Sequence, residues 1–583
     1  MSVNPLSTSG IEQLVTQYAT VESNRTIAPL ETRKSKFSSL SSAWEDLSTR
    51  LDKFKSILYD LKSTTTSSLF KSKKTTLSSS DYFTATASTT ANAGNYSIRV
   101  NQLAKSDLLV SSSLAFTTDT YDITNMAGTH TVKLQSGDYT SYVDVEFDDS
   151  ENNQTLMQKL STAINTDKAV VKSSTTNQSN TFTGTGEFKV NLNGTETTIA
   201  YDYSNKSYSE VVDDLKSKIG DISGITAEKD TTTGQLKLTV DDSSKYISLK
   251  SSDDNGGLLN FLGIDVTKEK AASALTTASY FAPSSGLTKF SLTADNTGYD
   301  NRLILSDVSG SALSSLGLTA SVLNNRTVIA DDNAAGFVYS ANSTTDNQLN
   351  AKLNFNGINI QRNTNSITDL VDGVTFNLSG VMADTAKTVD VTVAADDTTI
   401  KNKVKDFIKS FNDVYLNIKN KSTSDKLGRG VFTSDATAQS ILRTLTTSVM
   451  NKVDSASDSV YNRLSAIGIT FDPTTGLTFA DETKFSQAIS EKADSVASIF
   501  NSSSGIATKL YSNVSNYLGS AGVIANVKTS YDNNIKYLTD KITSVQARID
   551  KSSETLRKKY QEMQNQYAAL INSQNMLSSL SSY

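Results

Sequence analysis

The chain has 583 residues, 37% of them hydrophobic, and a formal net charge of -6; the length implies several domains, and the charge speaks against a broad basic face for nucleic acid. It contains no Cys and one His, at position 130, which excludes disulfides, zinc–thiolate sites, thiolate nucleophiles and any multi-His metal site. No run of about 18 apolar residues marks a membrane-inserted helix, and Met1-Ser2-Val3-Asn4-Pro5 opens no cleavable signal of the usual kind.

The N-terminal segment is helical in pattern. Ile11, Leu14, Val15 and Tyr18 form a first apolar set after Ser9-Gly10, and Pro29 separates it from a longer helix. There Phe37, Leu40, Trp44, Leu47, Leu51, Phe54, Leu58 and Leu61 alternate steps of three and four. That spacing is a heptad seam, and neither Pro nor Gly interrupts it. Such a seam fits an intramolecular bundle and an intermolecular coil equally well. Trp44 reads as a core filler, with an interface anchor as the alternative.

From about Thr84 to Val393 the apolar period becomes two. Tyr96–Val100, Glu187–Leu192, Gln235–Val240 and Arg302–Leu305 read as half-buried strands. Asn193-Gly194 reads as a tight hairpin turn. Short helices are expected over Thr155–Asn165 and Tyr208–Ile219. Residues 182–264 read strand, strand, helix, strand, strand, and 128–165 read strand, strand, helix. The latter unit's second half is expected at 288–318, with 182–264 inserted between.

Beyond Thr398 the pattern is helical again. Ile400, Val404, Phe407, Ile408, Phe411 and Val414 make one stripe, and a helix is expected over Ala436–Val449. A strand pair follows (Ile467–Phe471 with Gly476–Phe479), then helices near Asp481–Ala488 and Lys492–Phe500. Finally Ile535, Leu538, Ile542, Val545 and Ile549 form a second seam, continuing through Ser552 to Leu556. Its register then slips to Tyr560, Met563, Tyr567, Leu570 and Leu577. One isolated helix cannot bury that stripe, and the N-terminal seam is its expected partner.

Four stretches carry a resemblance to a known family: Gly10–Val15 with Pro29-Leu30; Ala93-Gly94-Asn95-Tyr96-Ser97-Ile98-Arg99-Val100-Asn101-Gln102-Leu103-Ala104; Phe355–Ile360 with Asn365–Phe376; and Leu464–Ile469 with Gly476–Phe479 and the terminal helix. In this order they resemble the flagellar filament cap proteins, also called hook-associated protein 2. Residues of about 125–340 match less specifically. The resemblance implies a structural cap at the distal end of a bacterial flagellar filament that promotes folding and insertion of exported flagellin. It implies a secreted protein, not an enzyme, that assembles as a ring of about five or six copies. The implied partners are other copies of the chain, flagellin, the hook–filament junction protein, and the flagellar type III export apparatus with its chaperone.

The expected fold is multidomain α+β: a long helical coiled-coil or bundle region built from both termini, with β-rich domains inserted between. The expected division is a helical leg at 1–95 with 395–583; a β-rich head at 96–127 and 321–394; a second β-rich domain at 128–181 and 265–320; the module 182–264; a leg domain with a short strand pair at 395–530; and a terminal coil at 531–583. The assembly seam is expected at Phe37, Leu40, Trp44, Leu47, Leu51, Phe54, Leu58, Ile535, Leu538, Ile542, Val545 and Ile549. No cofactor, metal or catalytic residue is called for. His130 reads as a surface residue, and Asp253-Asp254-Asn255-Gly256-Gly257 as a polar turn, since the distal Glu of a calcium loop is missing. Another axial flagellar protein, or a surface adhesin built on the β modules, is the alternative.

Overall fold

The computed structural model describes residues 7–65, 68–115, 123–124, 126–383, 387–425 and 428–580. It has the expected class: long helices at both ends and β-rich modules between. The chain divides into two units. One takes residues 1–74, 88–93 and 394–583, and the other takes 75–87 and 94–393. No helix among the described residues is long and apolar enough to cross a membrane.

The helical unit begins with Thr8–Thr26, capped by the Ser7 side chain accepting from the Gly10 amide. Ala28–Lys62 follows at once, with Pro in its first turn, where the missing N–H leaves no lost bond. Asp397–Ser422, Ala436–Met450, Glu482–Asn501 and Ile506–Leu518 complete a bundle, and Val523–Leu580 is the last helix. Lys492 has non-helical backbone and breaks Glu482–Asn501, between the two helices read from the pattern. The small hairpin pairs Ile469–Asp472 with Gly476–Phe479.

In the β-rich unit, the second and third of the stretches that carry the resemblance are neighbours. Gly94–Gln102 pairs antiparallel with Ala351–Phe355, placing Ile98 opposite Phe355 and Val100 opposite Leu353. The Tyr96 and Phe355 rings stack at 5.5 Å. Asn356-Gly357 closes the hairpin to Ile358–Arg362 with both residues at positive φ, the backbone that a two-residue turn of this hand demands. Asn365 then uses its side-chain amide as a short strand. Its Oδ1 accepts from the Ala104 N–H at 2.7 Å, and its Nδ2 donates to the Ala104 carbonyl at 2.9 Å.

A seven-stranded sheet orders Thr195–Ser207, Thr181–Leu192, Tyr246–Leu249, Val266–Lys270, Tyr139–Phe147, Gly128–Ser136 and Ile304–Ser309. Asn193 and Gly194 sit at φ 51 and 92 in its hairpin turn, and the Asn191 side chain accepts from the Gly194 amide. Two cores lie against this sheet. The first joins Leu134, Leu156, Leu160, Phe290, Leu292 and Leu305, so residues 288–318 pack on 128–165. The second joins Val190, Val212, Leu215, Leu238 and Leu259.

Sequence alternation misplaced three segments relative to these cores, for Leu323 and Phe337, expected in the head, belong to the first core. Val171, ahead of 182, belongs to the second core. Leu109, on Ser106–Val110, belongs to the first core, because its strand pairs with Leu287–Thr297 far along the chain. Strands that short show which face is apolar but not which sheet they join.

His130 is not a surface residue: it is 6% exposed. Its ring meets Phe147 edge-on at 5.1 Å. The Ser311 amide donates to Nδ1, and Nε2 lies 3.0 Å from the Met126 carbonyl. The network therefore assigns the proton to Nε2. Asp254, by contrast, sits in a polar turn, where its carboxylate accepts from Tyr201 Oη and from the Gly256 and Leu259 amides.

Candidate assembly surface on the terminal helices

The two seams do not face each other along their length. Leu40, Trp44, Leu47, Leu51, Phe54 and Leu58 are all buried in one core with Ile400, Val404, Phe407, Phe411, Ile441 and Leu510. Their partners are the helices between 397 and 518 and the start of the last helix, at Ile524. The reason is area: the aromatic groups of Phe54, Phe407 and Phe411, at 5.8 and 6.2 Å from the Phe54 ring, need a wider bundle than one coil partner offers. Trp44 is fully buried. Its Nε1 donates to Asp435 Oδ2 at 3.1 Å, while Asp435 Oδ1 caps Ala436–Met450 by accepting from Thr437 and Ala438. Tyr531 Oη donates to the same carboxylate. Burial, and then Asp435, push the Tyr531 phenol up from its ordinary pKa.

The C-terminal seam runs antiparallel to the start of the chain instead. Lys528 pairs with Glu45 at 3.6 Å, and Ser41 donates to Asp532 at 2.9 Å. Phe37, half-buried, lies 5.9 Å from the Tyr531 ring. Farther out, Arg557 grips Glu12 with two bonds, 2.7 and 2.9 Å. That bond comes first among the causes holding the Glu12 carboxyl below its ordinary range. Leu538 and Ile549 are buried, whereas Ile535, Ile542 and Val545 are half-buried. Ile11 and Val15 supply the buried face opposite. A groove of about 600 Å³ remains between Leu14 and Tyr18 on one helix and Leu556 and Tyr560 on the other.

Past Tyr560 the first helix has run out. Met563, Tyr567, Leu570, Met576 and Leu577 are exposed, the last at 68%. The slipped stripe is thus a one-sided apolar face on a helix that continues to Leu580.

Charge fixes the bundle's rim. Burial alone would raise the Asp46 carboxyl, but the Lys421 ammonium at 2.6 Å and the Asn417 amide outweigh it and hold the pKa at about 2. The heptad pattern missed Asp46, Asp435 and the Glu12–Arg557 pair, because it counts only apolar positions. Among the described residues, no group of three or more acidic or His side chains could hold a metal ion.

Residues 7–107 match the family profile described as flagellar hook-associated protein 2 N-terminus, and residues 349–571 match flagellar hook-associated protein 2 C-terminus. The chain belongs to the flagellar hook-associated protein 2 family. Flagellar hook-associated protein 2 of Salmonella typhimurium is 28% identical over 236 residues, 39% of this chain and 50% of that protein. The Thermotoga maritima protein of that name is 23% identical over 579 residues, 91% of this chain and 87% of its own length. The chain thus spans about half the length of the Salmonella relative and most of the Thermotoga one. The solved D1-D2-D3 domains of the flagellar cap protein FliD from Escherichia coli align with 84% of this chain and 99% of theirs, at 20% identity and a TM-score of 0.47. Membership of this family implies a flagellar location.

Proposed function

We propose that this protein caps the distal end of a bacterial flagellar filament, where it promotes folding and insertion of exported flagellin and prevents its loss. The supporting observation is that family-matched segments from both ends of the chain, 7–74 and 394–571, share one helical unit whose apolar stripe beyond Tyr560 is exposed. The reading is a structural and assembly role, not bond chemistry. The helical unit is the leg and the β-rich unit the head. Phe37, Leu40, Trp44, Leu47, Leu51, Phe54 and Leu58 act by holding the leg's shape. Ile535, Leu538, Ile542, Val545 and Ile549 hold the terminal helix against the first one, so that the stripe from Met563 to Leu577 is presented to flagellin. The working form is a closed ring of about five or six copies. It is secreted through the flagellar type III apparatus with its chaperone and seated after the hook–filament junction protein.

Light scattering on the purified full-length chain, beside one lacking residues 1–27 and 535–583, checks the assembly claim. The expected result is a closed oligomer of about five or six copies, weakened by the truncation. A strict monomer at every concentration would contradict it, and open-ended filaments would point to a filament subunit.

A further inference from the structure

The joint between the two β cores holds a carboxyl group that capping does not use. Val266–Lys270 makes the joint. It pairs antiparallel with Tyr246–Leu249, where Ile247 opposes Glu269, and parallel with Tyr139–Phe147, where Glu269 opposes Thr140. The Glu269 side chain is 4% exposed, and its Oε1 accepts the Tyr142 N–H at 3.1 Å. A cleft of about 480 Å³ opens there, with Tyr142, Asp144, Asp167, Lys172 and Lys237 on its walls.

The charged neighbours leave Glu269 uncompensated. From the loop after Asn153–Thr166 comes a second carboxyl, Asp167, which accepts from Ser141 Oγ at 2.7 Å and the Ala272 amide at 2.6 Å. Asp144 is occupied by Lys172 at 2.7 Å, Lys237 faces Glu228, and Lys268 bonds Asp138 at 3.1 Å. Lys270 lies over the Tyr139 ring. Only Lys133, on Gly128–Ser136 beyond the neighbouring strand Tyr139–Phe147, lowers the cost of ionising Glu269 by its charge. Among the described residues no cation lies within ion-pair distance of it.

We propose that Glu269 is a pH-sensitive latch: protonated, it closes the joint between the two β cores, and ionised, it loosens that joint. Burial is the main cause that pushes this carboxyl up to about 8, with the Tyr142 amide pulling back and Asp167 pushing further. An exposed Glu titrates near 4.5. The closed joint is therefore at full strength below about pH 4.5, weakens as pH rises to about 8, and changes little beyond.

Hydrogen exchange of the full-length protein, read on peptides covering 139–147 and 266–274 at pH 6 and 8.5 and corrected for intrinsic exchange, tests this. The opening constant is expected to rise at least about tenfold in the native chain and less than about twofold in Glu269→Gln. An equal rise in both, or none in the native chain, overturns the proposal. The infrared difference spectrum of the native protein gives a reading that does not depend on the variant's folding. A protonated carboxyl band persisting at pH 7 and gone by pH 9 supports the latch, whereas loss of every such band by pH 6 refutes it.

Discussion

Replacing Arg326 by Leu is expected to destabilise the β-rich unit by about 3–5 kcal/mol, because it strands a buried charge. Asp107 is completely buried. Its Oδ2 accepts from Arg326 Nη2 at 2.7 Å and from the Leu303 amide at 2.9 Å, and its Oδ1 has no partner among the described residues. Arg326 also donates to the Leu303 carbonyl and lies 3.8 Å over the Phe337 ring. Leucine would keep apolar contact with Phe337 but leave the carboxylate with one amide. Replacing Asp107 by Asn in the same chain removes the charge, so the double variant should recover most of the loss. Urea unfolding followed by circular dichroism measures it. The chain's one Trp, Trp44, belongs to the helical unit, so the fluorescence transition should not move. A shift below about 1 kcal/mol in Arg326→Leu would show that the pair contributes little.

Phe54→Ala is expected to act in the opposite compartment, at a cost of about 3–5 kcal/mol. The ring is fully buried and touches the Phe407 and Phe411 rings. Removing it leaves a cavity in a core whose side chains are held by several helices, which cannot all move in at once. Trp44 lies on the same helix and in the same core, so its fluorescence reports the loss directly as a lower urea midpoint. Leu570→Ala, on the exposed stripe, should leave that midpoint where it is. Equal midpoints for native chain and Phe54→Ala would contradict the packing described for the first seam.

Local physics made much of this molecule legible in its sequence. A seven-residue repeat without Pro or Gly has few alternatives to a long helix, and both terminal helices follow it. What the repeat does not encode is the partner. Trp44 to Leu58 meet helices some 350–450 residues onward, while Ile535 to Ile549 meet the first 40 residues. The family stretches were legible because their turn residues have local causes: Asn356-Gly357 has the backbone a tight hairpin needs. His130 was misread although its signal was present. It shares the parity of Val132 and Leu134 along one strand, and that face is buried. The buried acids Asp107 and Glu269 lay beyond any pattern reading. Their burial depends on strands paired across the whole β-rich unit, and nothing in the local residues distinguishes them from surface carboxylates.

The capping role is tested most directly in a flagellated strain from which the gene for this chain has been deleted. The expected result is hooks without filaments and unpolymerised flagellin in the medium, reversed by the full-length chain but not by one lacking residues 535–583. Filaments of ordinary length in the deleted strain would contradict the account.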